Sequence, residues 1–468
     1  MNTMSLTTLD RGKTTVDAAA IEALSAQLRG TLLQQGDAAY DEARTIWNAT
    51  VDRRPGLIVC CVGASDVIRA VNFARENRLL VSVRGGGHNI AGSAVCDGGL
   101  MIDLSPMKSV RVDPAARRAW VGPGATLADV DRETQAFGLA VPTGINSTTG
   151  ISGLTLGGGF GWITRKFGLT IDNLVSADVV TADGKLLRAS QTENPDLFWA
   201  LRGGKAGLGI VTAVELRLVE LETLYAGSLM FDTEHIEQAL RAWIAWTADA
   251  DPRITTSVAI ARFPPFEQVP EPIRGRNLLS LRFAFPGPSD EGERLAQPLR
   301  EAAPVYLDDL GEMVPTEMAR ISGDPTEPAP SWISARLLGE LDDGFATALL
   351  AEVGPETTPP FVAVEVRHVG GATATDVEEG SAASGRGATF TIGMVGVDPS
   401  QFETGLPEAA AAIYERISDY LSDEGNPNFS AKPKTMADFE SAFQPETRDR
   451  LRQVRSTYDP DGVFALWD

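Results

Sequence analysis

Residues 57–62 (LIVCCV) form a continuous β-branched apolar run, and the segment behind them, DVIRAVNFARENR (66–78), repeats its apolar positions at three- and four-residue intervals. The first pattern predicts a buried strand and the second an amphipathic helix, with Ser65 placed to cap its start. A second strand-like run, LLVSVR (79–84), then enters a glycine cluster. The order strand, helix, strand, glycine loop puts that cluster at a strand end, where α/β proteins gather their ligands. Thr126 heads another helical pattern, TLADVDRETQAFG, and LVSADVVTADGKLLRAS (174–190) alternates around Asp183-Gly184 as a β-hairpin does.

The texture changes near residue 222. Strand-like stretches TTSVAIARF, LLSLRFAF, FVAVEVRHV and TFTIGMVGV are interleaved with the helical EHIEQALRAWIAWTA and FATALLAEV. That mixture predicts an α+β second domain on an antiparallel sheet. A chain of 468 residues exceeds one ordinary core, which also argues for two domains. The stretch 371–388 (GATATDVEEGSAASGRGA) reads as a mobile loop. Trp332, Phe361 and Phe390 are open to two readings, pocket wall or buried core.

Composition narrows the class. With 43% hydrophobic and 22% charged residues the chain is globular rather than disordered. Its net charge of -22 and lack of a lysine or arginine cluster argue against a nucleic-acid partner. Cys60, Cys61 and Cys96 offer neither a CxxC spacing nor an even count, so no disulfide framework or zinc site is expected. His88, His235 and His368 are too scattered to suggest a metal centre. No secretory apolar stretch opens the chain and no 18-residue apolar run occurs, so the expectation is a cytoplasmic protein without a membrane partner.

The candidate chemistry lies in three glycine-rich tracts. Arg84-Gly85-Gly86-Gly87-His88-Asn89, with Gly92 and Ser93 beyond, lets backbone N–H groups close on an anion such as a pyrophosphate, because no Cβ stands in the way. The second tract runs from Thr143-Gly144-Ile145-Asn146 to Gly161, and the third comprises Arg202-Gly203-Gly204 and Gly207–Thr212. Two or more such loops in one domain suggest a long, extended ligand. The signatures G-x-G-x-x-G, G-x-x-x-x-G-K-[ST] and G-x-S-x-G are all missing, which sets aside a Rossmann domain, a P-loop and an α/β-hydrolase.

Together the stretches VSVRGGGHNIAGSAVCDGG, PTGINSTTGISGLTLGGGFGWITRKFGLTIDN, NPDLFWALRGGKAGLGIVT, VEVRHVGGA and RLRQVRSTYDPDGVF resemble the vanillyl-alcohol oxidase (PCMH-type FAD-binding) superfamily. Within it they are similar to the berberine bridge enzyme-like branch that includes 6-hydroxynicotine oxidases and sugar oxidases. The resemblance implies a two-domain α+β fold. Its FAD-binding domain would span residues 1–221, with a core at about 50–220, the substrate domain 222–425, and the segment 426–468 would return to the FAD domain. It implies FAD bonded covalently to His88. The cofactor would be cradled by Arg84, Gly85, Gly86, Gly87, Asn89 and Ser93 from the first tract. From the second come Thr143, Gly144, Asn146, Thr148, Thr149, Gly150, Gly153, Gly158 and Gly161, followed by Asp172, Asn173, Gly209, Val211 and Asn428.

Two departures matter. Many members attach the flavin a second time through a cysteine where this chain has Asn146, so a single link is expected. The tyrosine that often assists as base is replaced by Asn426, and an amide cannot accept a substrate proton at neutral pH. Glu365 and Arg367 alternate onto one strand face and are the other catalytic candidates. Asn428-Phe429 and Tyr458-Asp459-Pro460 match the family's C-terminal motifs. The implied activity is hydride transfer from a small alcohol, sugar or amine to FAD, with O2 as the usual second substrate. Thr149 stands at the oxygen-gating position where valine or leucine is frequent, so a dehydrogenase is an alternative. A biosynthetic tailoring flavoenzyme and a non-enzymatic flavin-binding protein are further readings. Substrate identity, the base and the oligomeric state lie beyond the sequence.

Overall fold

The structure, a computed structural model, describes residues 3–428 and 435–464; Phe429 lies outside them. The chain is α+β. The run at 57–62 becomes the strand Leu57–Cys60, which pairs antiparallel with Thr31–Gln34 and parallel with Leu100–Asp103; Val81–Arg84 completes this four-stranded sheet. A five-stranded antiparallel sheet follows, ordered 186–190, 174–180, 210–217, 118–121, 110–113. Its first hairpin turns at Asp183-Gly184 as the alternation predicts, with Val180 paired to Leu186 and Gly184 at φ +77°.

Thr126 caps the helix Leu127–Gln135 in a reciprocal box, accepting from the Asp129 N–H while Asp129 accepts from the Thr126 N–H. Ser65 does not cap its helix. That helix runs Ala64–Glu76 from an extended Gly63, which leaves Ser65 one residue inside. The carboxylate of Asp66 instead accepts the backbone N–H groups of Val62, Arg29 and Gly30 and ties the helix start to its neighbours.

Residues 224–396 build an antiparallel eight-stranded sheet, in which 255–262, 277–285, 363–368 and 390–396 are the strands expected from the strand-like stretches. One face is apolar. Leu229, Phe231, Val258, Ile260, Leu281, Phe283, Val364, Val366 and Ile392 pack there under Ile236–Thr247 and Asp343–Val353. The cross-strand register puts Ser228, Arg282, Ser257, Arg367 and Thr391 in one row of the opposite face, with Ala259, Glu365 and Gly393 in the next. A sheet polar on a covered face is costly unless that face serves a site.

Phe361 and Phe390 are core residues and Trp332 packs against them, so the core reading of these aromatics holds. The stretch 371–388 is a packed segment rather than a free loop. Arg386 pairs with Asp172 and Asp376 and donates to the Thr373 carbonyl at 2.9 Å, while Thr373 and Ala382 are buried. The helix Pro445–Tyr458 folds back on the glycine-rich part of the chain. Arg455 Nε donates to the Ala206 carbonyl at 2.9 Å, and Val463 and Phe464 join the core around Leu57 and Leu100.

Candidate functional site

The strand Val81–Arg84 delivers its glycines to the mouth of a cavity of about 510 Å³, within the range of ordinary ligand and cofactor sites. Gly85 to Asn89 and Ser93 line it. The second tract faces them with Gly144, Asn146, Thr149, Gly150 and Gly153, and the third adds Gly209 and Val211. The two main loops touch through backbone. A Cβ on Gly86 would stand 2.4 Å from the Gly150 nitrogen, and one on Gly150 2.5 Å from the Gly86 nitrogen. Arg367 and Val369 on the polar sheet face, together with Asn426 and Asn428, close the other wall.

The remaining sequence candidates sit behind the wall. Arg84 donates to the Ala43 carbonyl and faces Asp103. Thr143 is buried, with its carbonyl pressed against Gly161, and Gly158 adopts φ +116° beside Asn426. Asn173 Nδ2 holds the carbonyls of Phe167 and Leu169, at 3.2 and 3.1 Å. Asp172 anchors Arg386, which does line the cavity. Thr148 lies outside the lining residues but within 2.8 Å of His88 Nε2.

Electrostatics divide the candidates. Burial pushes the His88 imidazole down to about 4, so the ring is neutral near pH 7. Glu365 is clamped by Arg282 Nη1 at 2.8 Å and Arg367 Nη2 at 2.7 Å. Burial opposes ionisation, yet the two guanidinium groups hold the carboxylate down to about 2. A carboxylate so stabilised is a weak proton acceptor, and Glu365 is not among the lining residues. Asn426 accepts the Asn428 N–H at 2.9 Å.

Among the lining residues that the sequence reading missed is a lysine. Lys205, at φ +53° inside the third glycine cluster, sends its ammonium to Asn428 Oδ1 at 2.7 Å, and burial lowers it to about 8. Its cost in backbone strain and desolvation was its only signal: a lysine interrupting a glycine run. With Arg367 it makes the cavity cationic.

These features fit FAD. Backbone is bared where Gly86 meets Gly150, a buried cation faces the space, and a neutral imidazole stands at its edge. An FAD binding domain family matches residues 55–190. The crystal structure of 6-hydroxy-D-nicotine oxidase from Arthrobacter nicotinovorans superposes with a TM-score of 0.81 at 26% identity, covering 93% of this chain and 96% of that one. The chain is an FAD-dependent oxidoreductase with a PCMH-type FAD-binding fold, similar to the 6-hydroxynicotine oxidases. An FAD-linked oxidoreductase of Bacillus subtilis is 29% identical to it over 94% of this chain and 96% of its own length. The (R)-6-hydroxynicotine oxidase of Paenarthrobacter nicotinovorans is 42% identical over 194 residues, 42% of each chain. Among the described residues of this oxidoreductase no group of three or more histidine, cysteine or acidic side chains could hold a metal, and no helix is long and apolar enough to cross a membrane.

Proposed function

We propose that this enzyme is an oxidase of small amines, alcohols or sugars that carries FAD on a single covalent link to His88. The observation behind the reading is a neutral imidazole at the edge of a cavity whose floor is the bared backbone of two touching glycine loops. The division implied by the sequence goes with it: residues 1–221 and 426–468 serve the cofactor, and 222–425 supply the substrate wall. Bound FAD supplies the hydride acceptor.

The protein's share is placement and electrostatics. Gly85–Gly87 and Gly150 bring N–H groups to the pyrophosphate, and Lys205 sets a positive charge against the anionic cofactor. Arg367, aimed from the polar sheet face, meets the substrate, while Glu365, itself held by Arg282, fixes its guanidinium. Asn426 borders the substrate space with an amide that orients but takes no proton.

An amine suits this wall best among the three classes. Arg367 in this wall disfavours a further positive charge, so a substrate amine sits neutral and releases hydride without a strong protein base. Reoxidation by O2 distinguishes the oxidase from a dehydrogenase, with Thr149 in the cavity wall at the oxygen-gating position. The test is anaerobic flavin bleaching by panels of neutral amines, alcohols and sugars, followed by admission of air. Bleaching with peroxide release supports the proposal. Bleaching that persists in air supports a dehydrogenase, and no bleaching by any panel rejects the substrate classes.

A further inference from the structure

The polar face of the large sheet holds two guanidinium groups and one carboxylate. Arg282 Nη1 donates to Glu365 Oε1 at 2.8 Å and Arg367 Nη2 to Glu365 Oε2 at 2.7 Å, so each oxygen is taken by one cation. All three side chains are mostly buried, with 10%, 15% and 20% exposure for Arg282, Arg367 and Glu365. Their cross-strand neighbours Ser228, Ser257 and Thr391 carry no charge. Among the described residues no other acidic side chain pairs with either arginine. One positive charge is left over on a covered face, which is costly until an anion meets it.

That surplus reaches the cavity at Arg367, which lines it while Arg282 and Glu365 stand behind. A guanidinium has five N–H donors in a planar fork. Glu365 takes Nη2 and fixes the plane, and Nε is buried without a partner among the described residues. The wall beside it is apolar, because Ile333, Ala335 and Leu337 alternate onto the cavity along the strand Trp332–Leu338. The register links Leu337 through Thr391 to Arg367, and Ala335 through Gly393 to Glu365. Gly393 keeps the floor between them open: a Cβ there would meet nothing within 4 Å. An apolar trough that ends at a buried cation fits a molecule with an apolar body and an anionic head.

We infer that Arg367 is the seat of a carboxylate borne by the substrate, so that the preferred substrates join a carboxylate and an oxidisable amine on a small apolar body. The amine half rests on the function proposed above; the carboxylate half rests on the sheet. A carboxylate suits the site because its two coplanar oxygens match the guanidinium fork and its single charge balances the single surplus. With it seated, two anions face two cations. No excess anion remains to hold an ammonium, and the amine stays neutral.

The holoenzyme is titrated with phenylacetate and with phenylacetamide, which match in shape, differ in charge and carry no oxidisable amine. Binding is read by calorimetry and by the change in flavin absorbance. Wild type should hold the acid at least about tenfold more tightly than the amide, the worth of one charge-assisted hydrogen bond. Arg367→Gln should erase that preference. Arg367→Lys, which keeps the charge and loses the fork, should retain part of it. Anaerobic bleaching should follow the same order, with N-methylphenylalanine showing a KM at least about tenfold below that of N-methylphenethylamine in wild type and no such gap in Arg367→Gln. Equal binding of acid and amide by wild type overturns the inference whether or not the variants fold, and so does an acid preference that survives Arg367→Gln. Equal binding together with bleaching by the neutral amine leaves the proposed function standing. An acid preference that is lost in Arg367→Gln, with bleaching by neither amine, upholds the carboxylate seat and rejects the amine reading.

Discussion

Gly86 and Gly150 leave each other no room for a Cβ: one added to either would lie 2.4 to 2.5 Å from the backbone nitrogen of its counterpart. The two loops that resemble cofactor cradles are thus one structure, closed by backbone contact.

Gly86→Ala and Gly150→Ala should each part the loops, at a cost of about 1–3 kcal/mol for overpacking, and reduce FAD bound per chain. Gly311→Ala is the control, because its Cβ would meet nothing within 4 Å. Flavin content and thermal midpoints of the three variants check this; a Gly86→Ala chain that fills with FAD as wild type does would contradict it.

Glu365 makes a pH-dependent contribution of definite sign. Its folded value of about 2 lies below the ordinary 4.5, so its stabilisation is complete above pH 4.5 and is lost as pH falls toward 2. Glu365→Gln leaves Arg282 and Arg367 without their carboxylate and should cost about 3 kcal/mol at pH 7. Denaturant titrations from pH 7 to 3 should show the gap between wild type and variant shrinking below pH 4.5.

His88 behaves oppositely in chemical terms but with the same slope. Folded at about 4 against 6.5 unfolded, it takes up its proton later than the unfolded chain does, so the apo protein loses stability as pH falls from 6.5 to 4. His88→Gln should flatten that window in thermal scans. Because the folded ring stays neutral, the rate of flavin attachment should hold level from pH 7 to about 5 and decline only near 4.

Arg386 ties the segment 371–388 to Asp172 across 214 positions. Arg386→Ala should free that segment, exposing it to limited proteolysis and raising KM for the reducing substrate, since Thr373 and Ser384 form part of the cavity wall. Proteolysis rates unchanged from wild type would show that burial of Thr373 and Ala382 suffices alone.

Lys205→Met preserves the stem and removes the charge. In a His88→Ala background, where FAD can dissociate, it should weaken FAD binding by about tenfold, the worth of one charge-assisted contact. Equilibrium dialysis at two salt concentrations tests it, and the loss should be smaller at high salt.

Local pattern determined much of this protein without its coordinates. The strand at 57–60, the helix cap at Thr126, the hairpin at Asp183-Gly184 and four of the eight strands of the large sheet all follow from residues close in sequence. So does the place of the first glycine cluster at the end of the strand Val81–Arg84, because backbone conformation is imposed by neighbours a few positions away. What tertiary structure decided involves partners far apart in the chain. Ser65 lost its capping role to Asp66, whose carboxylate found the N–H groups of Arg29 and Gly30. The stretch 371–388 has loop composition, yet Asp172 pins it. Glu365 shares a face with Arg367 by alternation alone, but only the register bringing Arg282 to Ser257 and Ser257 to Arg367 surrounds it with two cations and makes it a weak base. The hydrogen bonds around His88 likewise depend on Thr148, Asn146 and the carbonyl of Pro325, because a polar group meets only the donors and acceptors that the fold brings within about 3 Å.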